Sequence, residues 1–365
     1  MRVLFVATPL IGHAFPMMPL ALHLQSTGHE VLLATGGDAA TVLRTELAVE
    51  SVAPAVNLAR SSVRAYLVHP HAALRSLSGM ADARAGARLF AHINRPMSAA
   101  LIALARRYRP DLVIHEPFAA SGAIAAAAVG APTVLHNIAL DRGEDIVRET
   151  LKALSANVGG HAAVLSVAPP SLVAVPGWPM RYVPYSLPAP DPVDWLYTRP
   201  TRPRILVTRS TMLGDGPDAM LTSLIRAAPR VDAEFVVVRP NRPLERARRL
   251  PDNVRTVGWT VLSDVLPYCS GMLNHGGAGS IYAALVAGIP QIATPAPGDR
   301  TWNATLLATS RTGLAIPAKR ITHQHLTTLV TDTTLTANAK LVAAEIAAMP
   351  TPAAIATRLP GLLGH

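Results

Sequence analysis

The sequence predicts an α/β protein built from two Rossmann-like domains, each with a doubly wound parallel sheet. Apolar strand-like runs alternate with segments of helical spacing along most of the 365 residues, which is the pattern of parallel sheets. A second such series begins after the proline-dense residues 184–203, a composition that suits an extended connection. The length is natural for two domains and long for one.

Sequence composition sets limits on where the protein works. The single cysteine, Cys269, permits no internal disulfide, so we expect a reducing, cytoplasmic location. No run reaches the roughly 18 uninterrupted apolar residues of a membrane span. The apolar start of the chain soon meets Pro9 and Gly12 without a small-residue cleavage site, so we predict a first strand there and no signal peptide.

The formal net charge of +10 raises the question of a nucleic-acid partner. The basic residues are nearly all arginine and are spread along the chain without an aromatic-interleaved patch, which argues against nucleic-acid binding. We expect the charge to serve anionic substrates and, at most, a peripheral contact with an acidic membrane surface. No acidic pair follows a strand in a metal-binding context and the histidines lack zinc-ligand spacing, so no metal is predicted.

The first βαβ unit comprises a strand over residues 2–8, a helix over 17–27 and a strand over 30–35. Between the first strand and the helix lies a loop, residues 9–16, that contains His13. In such folds the loop after a strand's carboxyl end faces the ligand crevice. A lone histidine is more often structural than catalytic, so the position of His13 has to carry any argument for its role.

Later in the first domain, a strand over residues 112–115 is followed by Glu116, a helix over 119–129 and a strand over 132–136. Glu116 stands at a strand's carboxyl end, where a catalytic carboxylate or a plain surface carboxylate beside Pro117 would both fit. Residues 50–110 are irregular in pattern and say little about function.

The second domain restarts with strands over residues 204–208, 234–239 and 254–257. The loop after the first of these carries the hydroxyls of Ser210 and Thr211. Trp259 follows the third strand, and its flat face could stack on a pyrimidine base or could equally belong to the core.

A glycine-rich turn follows a short apolar run and opens a helix over residues 281–287. The N–H groups at a helix start lie at the positive end of the helix dipole, which favours a phosphate or diphosphate. From this segment alone, a tight turn without a ligand remains an equal alternative. The candidate binding residues of this turn are Asn274, His275, Gly276, Gly277, Ala278, Gly279 and Ser280.

The order of motifs around this turn, with Gly258-Trp259 before it and Gly298-Asp299-Arg300 after it, resembles the donor site of family 1 GT-B glycosyltransferases. It is most similar to actinobacterial enzymes that glycosylate natural products. The resemblance implies the GT-B architecture, in which two Rossmann-like domains face each other across a cleft. It implies an acceptor-binding domain over residues 1–200, a nucleotide-sugar domain over 201–350, and a segment over 351–365 that crosses back to the first domain.

The resemblance also assigns roles to single residues. His13 lies in the family's first-loop motif, whose histidine is the general base. Glu116 stands where the family places the acid that orients this histidine, although the family more often has Asp there, and Asp141 is the reserve candidate. Ser210 and Thr211 would face the donor phosphates, and Trp259 would stack on the base. Asp299-Arg300 replaces a more common Asp-Gln, and Asn274-His275 replaces a more common pair of histidines.

Arg300 leaves two interpretations open. It could contact the diphosphate or read an acceptor-only group on the sugar, or it could point to solvent or pair with Asp299.

The implied activity is the inverting transfer of a (deoxy)sugar from a TDP- or UDP-sugar to a hydroxyl of a lipophilic aglycone such as a polyketide. Besides the nucleotide-sugar co-substrate no cofactor is expected, and the resemblance leaves a homodimer open. A nucleotide-sugar epimerase of the same architecture and a noncatalytic auxiliary protein are the alternatives. An NAD-dependent dehydrogenase is disfavoured because no G-x-G-x-x-G follows the first strand.

Overall fold

The computed structural model describes residues 1–53, 83–191, 193–210 and 216–363. The chain divides into two compact units, the first containing Met1–Tyr185 together with Ala348–His365 and the second containing Ser186–Ala347. Each unit has its own parallel sheet and its own hydrophobic core. This confirms the predicted fold class of two Rossmann-like domains.

Within the described residues, the first unit is built around a seven-stranded parallel sheet. Its strands are β1 (Arg2–Val6), β2 (Glu30–Gly36), β3 (Ala48–Ala53), β4 (Leu112–His115), β5 (Thr133–His136), β6 (Ala163–Ser166) and β7 (Trp178–Pro179). Their order is β3-β2-β1-β4-β5-β6-β7, so the direction of winding changes between β1 and β4. Val3 pairs with both Val31 and Leu112, and all three are buried, as expected for a parallel sheet covered on both faces.

The helices described in the first unit supply that cover. They are α1 (Ile11–Ala14), α2 (Met18–Ser26), α3 (Gly37–Leu43), α4 (Ala83–Tyr108), α5 (Ser121–Ala127) and α6 (Gly143–Ala153), with a short 3₁₀ helix at Phe15–Met17. The α4 helix packs Met97, Leu101 and Leu104 against Val113 of β4. The spacing of four and three residues places these side chains on one helix face.

The described part of the second unit contains a six-stranded parallel sheet. Its strands are β8 (Arg204–Thr208), β9 (Glu234–Val238), β10 (Val254–Val257), β11 (Gly271–Asn274), β12 (Gln291–Ala293) and β13 (Gly313–Ala315). Their order is β10-β9-β8-β11-β12-β13, with the change of direction between β8 and β11. Ligands of such sheets bind outside the carboxyl ends of the strands at this switch.

The helices described in the second unit begin with α7. They are α7 (Ala219–Ala227), α8 (Arg242–Glu245), α9 (Leu262–Val265), α10 (Ala278–Ala287), α11 (Arg300–Thr309), α12 (His323–Thr331) and α13 (Thr333–Ala348). Short 3₁₀ helices lie at Asp194–Tyr197, Ala228–Arg230, Leu266–Tyr268 and Ala318–Arg320. The α10 helix ends at Gly288, which has a left-handed backbone with φ of 66°, a common helix C-terminus.

The proline-rich residues 186–200 belong to the second unit, whereas the sequence analysis assigned them to the end of the first domain. The reason is the buried Arg204 of β8, whose guanidinium donates to the carbonyl oxygens of Leu196 (2.8 Å) and Thr198 (3.1 Å). It also lies over the ring of Trp195 at 5.3 Å and pairs with Glu234. Arg204, the first residue of β8, therefore anchors residues 195–198 to the second unit.

The C-terminal residues from Ala348 onward group with the first unit. A last helix, α14 (Pro352–Ala356), packs against α2, and a 3₁₀ helix follows at Leu359–Leu362. The backbone N–H of Arg181 donates to the carbonyl oxygen of Pro350 at 2.7 Å. The Arg358 guanidinium lies 3.7 Å from the ring centroid of Trp178.

One helical stretch in the described residues, Thr333–Ala356, is long and apolar enough by length and composition to cross a membrane, with 39% of its apolar window buried. The sequence analysis did not anticipate it. The stretch is broken at Pro350 between α13 and α14. In α13, Leu335, Ala339, Val342 and Ile346 form a buried face, which is the pattern of a helix packed on a protein core.

Candidate functional site

The glycine-rich turn of the second unit lies between β11 and α10, at the carboxyl edge of the sheet. Asn274, the last residue of β11, is fully buried. Its Oδ1 accepts from the N–H of Gly276 at 2.8 Å, and its Nδ2 donates to Oε1 of Gln291 at 2.8 Å. Gln291 donates in turn to the carbonyl oxygen of Ile281 at 3.2 Å. These bonds hold the shape of the turn, and a contact between Asn274 and the donor stays a prediction.

Gly276 has a backbone conformation that favours glycine, with φ of +82°. A Cβ there would also come within 3.1 Å of both the Thr294 carbonyl oxygen and Cβ of Arg300. Nδ2 of Asn303 donates at 2.9 Å both to the Gly276 carbonyl oxygen and to Oδ2 of Asp299. The start of α11 is therefore bonded to the turn through Asn303, a residue that the sequence analysis did not select.

The N-terminus of α10 is open. Gly277 occupies the N-cap without any side-chain hydrogen bond. The N–H of Ile281 makes the first bond, to the Gly277 carbonyl oxygen at 3.1 Å, so the N–H groups of Ala278, Gly279 and Ser280 have no carbonyl partner inside the helix. A Cβ added to Gly279 would meet nothing within 4 Å among the described residues. Free N–H groups facing open space at a helix start form an anion site.

Side chains from neighbouring elements surround this helix start. The Ser280 hydroxyl lies 3.3 Å from that of Thr208 at the end of β8. The Ser210 hydroxyl, two residues later, lies 3.4 Å from Nη2 of Arg300. Arg300 is half-buried and its guanidinium approaches Ser210, while the Asp299 carboxylate accepts from Asn303. Thr211 lies outside the described residues.

His275 is held as a neutral side chain. Its pKa is lowered to about 4, first by burial of the ring and then by the nearby Arg300 charge, and the Thr208 backbone and Asp218 partly offset these effects. A Cβ at Gly277 would collide with Nε2 of His275, so the ring packs closely against the turn. At neutral pH the positive charge beside the turn therefore resides on Arg300.

Trp259 is half-buried just after β10. The guanidinium of Arg239 lies 5.6 Å from the centroid of its ring. A cavity of about 470 Å³ adjoins this position, lined by Arg209, Arg239, Pro240, Glu245, Thr256, Val257 and Gly258. Arg209 is fixed by an ion pair with Asp218 at 3.1 Å. The cavity therefore lies beside Trp259 and is rich in arginine.

In the first unit, His13 lies in the short helix α1, although the sequence analysis predicted a loop there. Its Nδ1 is 3.4 Å from Oε1 of Glu116. Glu116 is fully buried and accepts from the Thr8 N–H (3.1 Å), the Thr8 hydroxyl (2.9 Å) and the Phe118 N–H (2.8 Å). Three donors thus fix the carboxylate beside the imidazole. The pairing of the reserve candidate Asp141 with His13 stays a prediction.

Two phenylalanines that the sequence analysis missed contact His13. The imidazole packs edge-on against Phe118, with 4.9 Å between ring centroids, and at a tilt against Phe90, with 5.6 Å between centroids. The centroids of the two phenyl rings are 4.4 Å apart. Both phenylalanines are half-buried. The imidazole thus has a carboxylate near Nδ1 and an apolar wall formed by the two phenyl rings.

Within the described ranges, no cluster of three or more histidine, cysteine or acidic side chains is placed to hold a metal ion. Two Rossmann-like units, one with an uncapped helix start at the carboxyl edge of its sheet, are the features of GT-B glycosyltransferases, and solved structures of this class superpose on nearly the whole chain. The glycosyltransferase SnogD from Streptomyces nogalater matches with a TM-score of 0.82 and 32% identity over 99% of both chains. The glycosyltransferase SsfS6 from Streptomyces sp. SF2575, solved with thymidine diphosphate, matches with a TM-score of 0.81 and 25% identity over 99% of both.

The sequence places the chain within this class. Residues 22–210 match the N-terminal domain and residues 222–362 the C-terminal domain of the erythromycin biosynthesis protein CIII-like family. The elloramycin glycosyltransferase ElmGT of Streptomyces olivaceus is 36% identical over 98% of this chain and 97% of its own length. The chain belongs to the EryCIII-like family and is a glycosyltransferase, which confirms the resemblance inferred from its motifs.

The neutral His275 predicts a loss of stability in acid. Its pKa is about 4 in the folded protein and 6.5 in the unfolded chain, so the unfolded chain binds more protons as the pH falls from about 6.5 towards 4. At pH 5.5 this costs at most about 1.4 kcal/mol relative to neutral pH. Urea unfolding at pH 7.5 and 5.5 should show a smaller acid-induced loss for His275→Gln than for the wild type. Equal losses would contradict a neutral, buried His275.

Proposed function

We propose that this glycosyltransferase is inverting and metal-independent, and that it moves a deoxysugar from a TDP-sugar to a hydroxyl of a lipophilic aglycone such as a polyketide. The observation that carries the proposal is the open N-terminus of α10 with the Arg300 guanidinium nearby. The thymidine diphosphate bound to the related SsfS6 supports TDP over UDP, and the elloramycin glycosyltransferase ElmGT supports a natural-product acceptor. A UDP-sugar is the alternative donor.

The second unit would bind the nucleotide sugar through its diphosphate. The N–H groups of Ala278, Gly279 and Ser280 would donate to phosphate oxygens at the positive end of the helix dipole. Arg300 would supply a full positive charge to the same group. As the bond to the sugar breaks, negative charge grows on the leaving diphosphate, and fixed donors aimed at that charge stabilise the transition state. This is the part that a divalent cation plays in metal-dependent enzymes.

The remaining donor contacts follow from the same placement. The hydroxyls of Ser210 and Ser280 would add donors to the phosphates, and Trp259 would stack on the thymine beside the arginine-lined cavity. The contact predicted for Thr211, which lies outside the described residues, stays a prediction. Asp299 would accept hydrogen bonds from the sugar hydroxyls. His275 would be a further hydrogen-bond donor to the diphosphate, as a neutral imidazole.

The first unit would activate the acceptor. With the proton of His13 on Nδ1, 3.4 Å from Oε1 of Glu116, Nε2 would be free to take the proton of the acceptor hydroxyl. The acceptor oxygen then forms a bond to the anomeric carbon while the bond from that carbon to the diphosphate oxygen breaks on the opposite face, which inverts the configuration. The apolar wall of Phe90 and Phe118 suits a lipophilic acceptor. Cytoplasmic location, a homodimer and a peripheral membrane contact stay predictions.

Loss of the base tests the mechanism. His13→Ala should leave TDP binding intact and lower transfer by about 100-fold or more, and Glu116→Ala should lower it less, because a misoriented imidazole is still a base. Transfer is measured by mass spectrometry with a panel of aglycones and a mixture of TDP- and UDP-sugars, in EDTA. Anomeric configuration is read by NMR.

Asp141→Ala is the matched carboxylate control for Glu116→Ala. A larger loss in Asp141→Ala than in Glu116→Ala would mean that the wrong carboxylate is paired with His13. Near-normal turnover of His13→Ala, a product with the donor's configuration, or activity abolished by EDTA would each contradict the proposed mechanism.

Arg300 gives an independent test of the donor site. Arg300→Gln restores the more common Asp-Gln pair but removes the fixed charge, so TDP affinity should fall about 10-fold or more, the scale of a hydrogen bond to a charged group. Arg249→Gln is the matched control, since Arg249 lies in the same unit with 86% of its side chain exposed. Calorimetric titration should show a selective loss in Arg300→Gln. Equal TDP affinities in both variants would mean that Arg300 does not contribute to binding of the diphosphate.

A further inference from the structure

One buried amide lies behind the proposed base. Asn94 in α4 has no exposed surface. Its Nδ2 donates to the carbonyl oxygens of Phe90 at 2.8 Å and Phe118 at 2.7 Å, and its Oδ1 accepts from the N–H of Ser121 at 2.8 Å. Both ends of the amide are therefore occupied, and they join α4 to the loop between β4 and α5.

Two of the three residues hydrogen-bonded to the Asn94 side chain contact His13. Phe90 and Phe118 carry the two rings that contact the imidazole. The N–H of Phe118 also donates to Oε2 of Glu116 at 2.8 Å. The Phe118 carbonyl oxygen thus accepts a hydrogen bond from Asn94. The Phe118 N–H donates one to the Glu116 carboxylate.

This arrangement needs an amide. Asparagine supplies two donors and an acceptor within one short side chain, whereas an ionised aspartate supplies acceptors only and would place negative charge against two carbonyl oxygens. An apolar side chain would remove all three hydrogen bonds and leave the buried Ser121 N–H without this partner, which is costly. The hydrogen bonds do not by themselves separate a role in catalysis from a role in stability.

The second unit contains a matched asparagine. Nδ2 of Asn253 donates to three carbonyl oxygens, those of Ala228 (2.8 Å), Val231 (3.2 Å) and Ala233 (3.0 Å). It too is buried and joins backbone segments, but its partners belong to the core and to the turn before β9. It provides the purely structural comparison for Asn94.

We propose that Asn94 is a positioning residue for the reaction: it holds the Phe118 segment so that the Glu116 carboxylate and the two phenyl rings keep the His13 imidazole in its working orientation. The inference rests on the proposed roles of His13 and Glu116. A displacement of reacting groups by about 1 Å can cost about 100-fold in rate. Asn94 reaches the base through Phe118 and Glu116, so its loss should change the turnover number.

The test compares Asn94→Ala, Asn94→Asp and Asn253→Ala in the full chain, each by urea midpoint, TDP affinity, KM for the acceptor and kcat, at a temperature where far-ultraviolet circular dichroism is native. Both Asn94 variants should lower kcat by about 10-fold or more with unchanged TDP affinity. Asn253→Ala should lower the midpoint and leave kcat of the folded enzyme unchanged. Asn94→Asp keeps the side-chain shape and serves if Asn94→Ala does not fold.

A double-mutant cycle with Glu116→Ala identifies the route of the effect. If Asn94 acts through Glu116, Asn94→Ala should lower kcat much less in the Glu116→Ala background than in the wild type, because coupled residues are non-additive. Independent, multiplying losses would overturn the inference, as would an Asn94→Ala enzyme that loses stability like Asn253→Ala but keeps its kcat. Near-normal turnover of His13→Ala would instead overturn the proposed function on which the inference rests.

Discussion

The second unit depends on a helix that starts without a cap. A side-chain cap at such a position is worth about 1 kcal/mol, yet Gly277 supplies none. The turn is supported from inside: Asn274 bonds the Gly276 N–H, Asn303 bonds its carbonyl oxygen, and Gln291 fastens β11 to α10. The N–H groups of residues 278–280 have no carbonyl partner inside the helix, so this helix start lacks the stabilisation of a cap and is the candidate anion site.

The positive charge at this turn lies on Arg300 and not on His275. Burial keeps His275 neutral and Arg300 reinforces that state, while the Arg300 guanidinium approaches the Ser210 hydroxyl. A protonated His275 would repel the Arg300 guanidinium across a short distance and would compete with it for the same anion. The replacement of the more common glutamine by arginine is therefore consistent with a site that carries its charge on α11 and uses the turn for hydrogen bonds.

Much of the fold could be predicted because buried parallel strands are mostly apolar runs: the predicted bounds for residues 112–115 and 204–208 are those of the structure. The surroundings of the candidate site could not be predicted in the same way. Phe90 and Phe118 meet His13 only through tertiary packing across 77 and 105 residues of sequence. The bonds of Asn274 to Gly276 and Gln291 could not be predicted either, because periodicity cannot tell which way a polar side chain turns at the end of a strand. Arg204 anchors residues 195–198 to β8 through contacts that no local pattern encodes.

The central claim is that the start of α10 binds the diphosphate of the donor. A crystal structure of the protein with TDP tests it most directly. The account predicts phosphate oxygens within hydrogen-bonding distance of at least two of the N–H groups of Ala278, Gly279 and Ser280, with the Arg300 guanidinium on the same diphosphate. A complex in which the diphosphate lies elsewhere and these N–H groups face only water would contradict it.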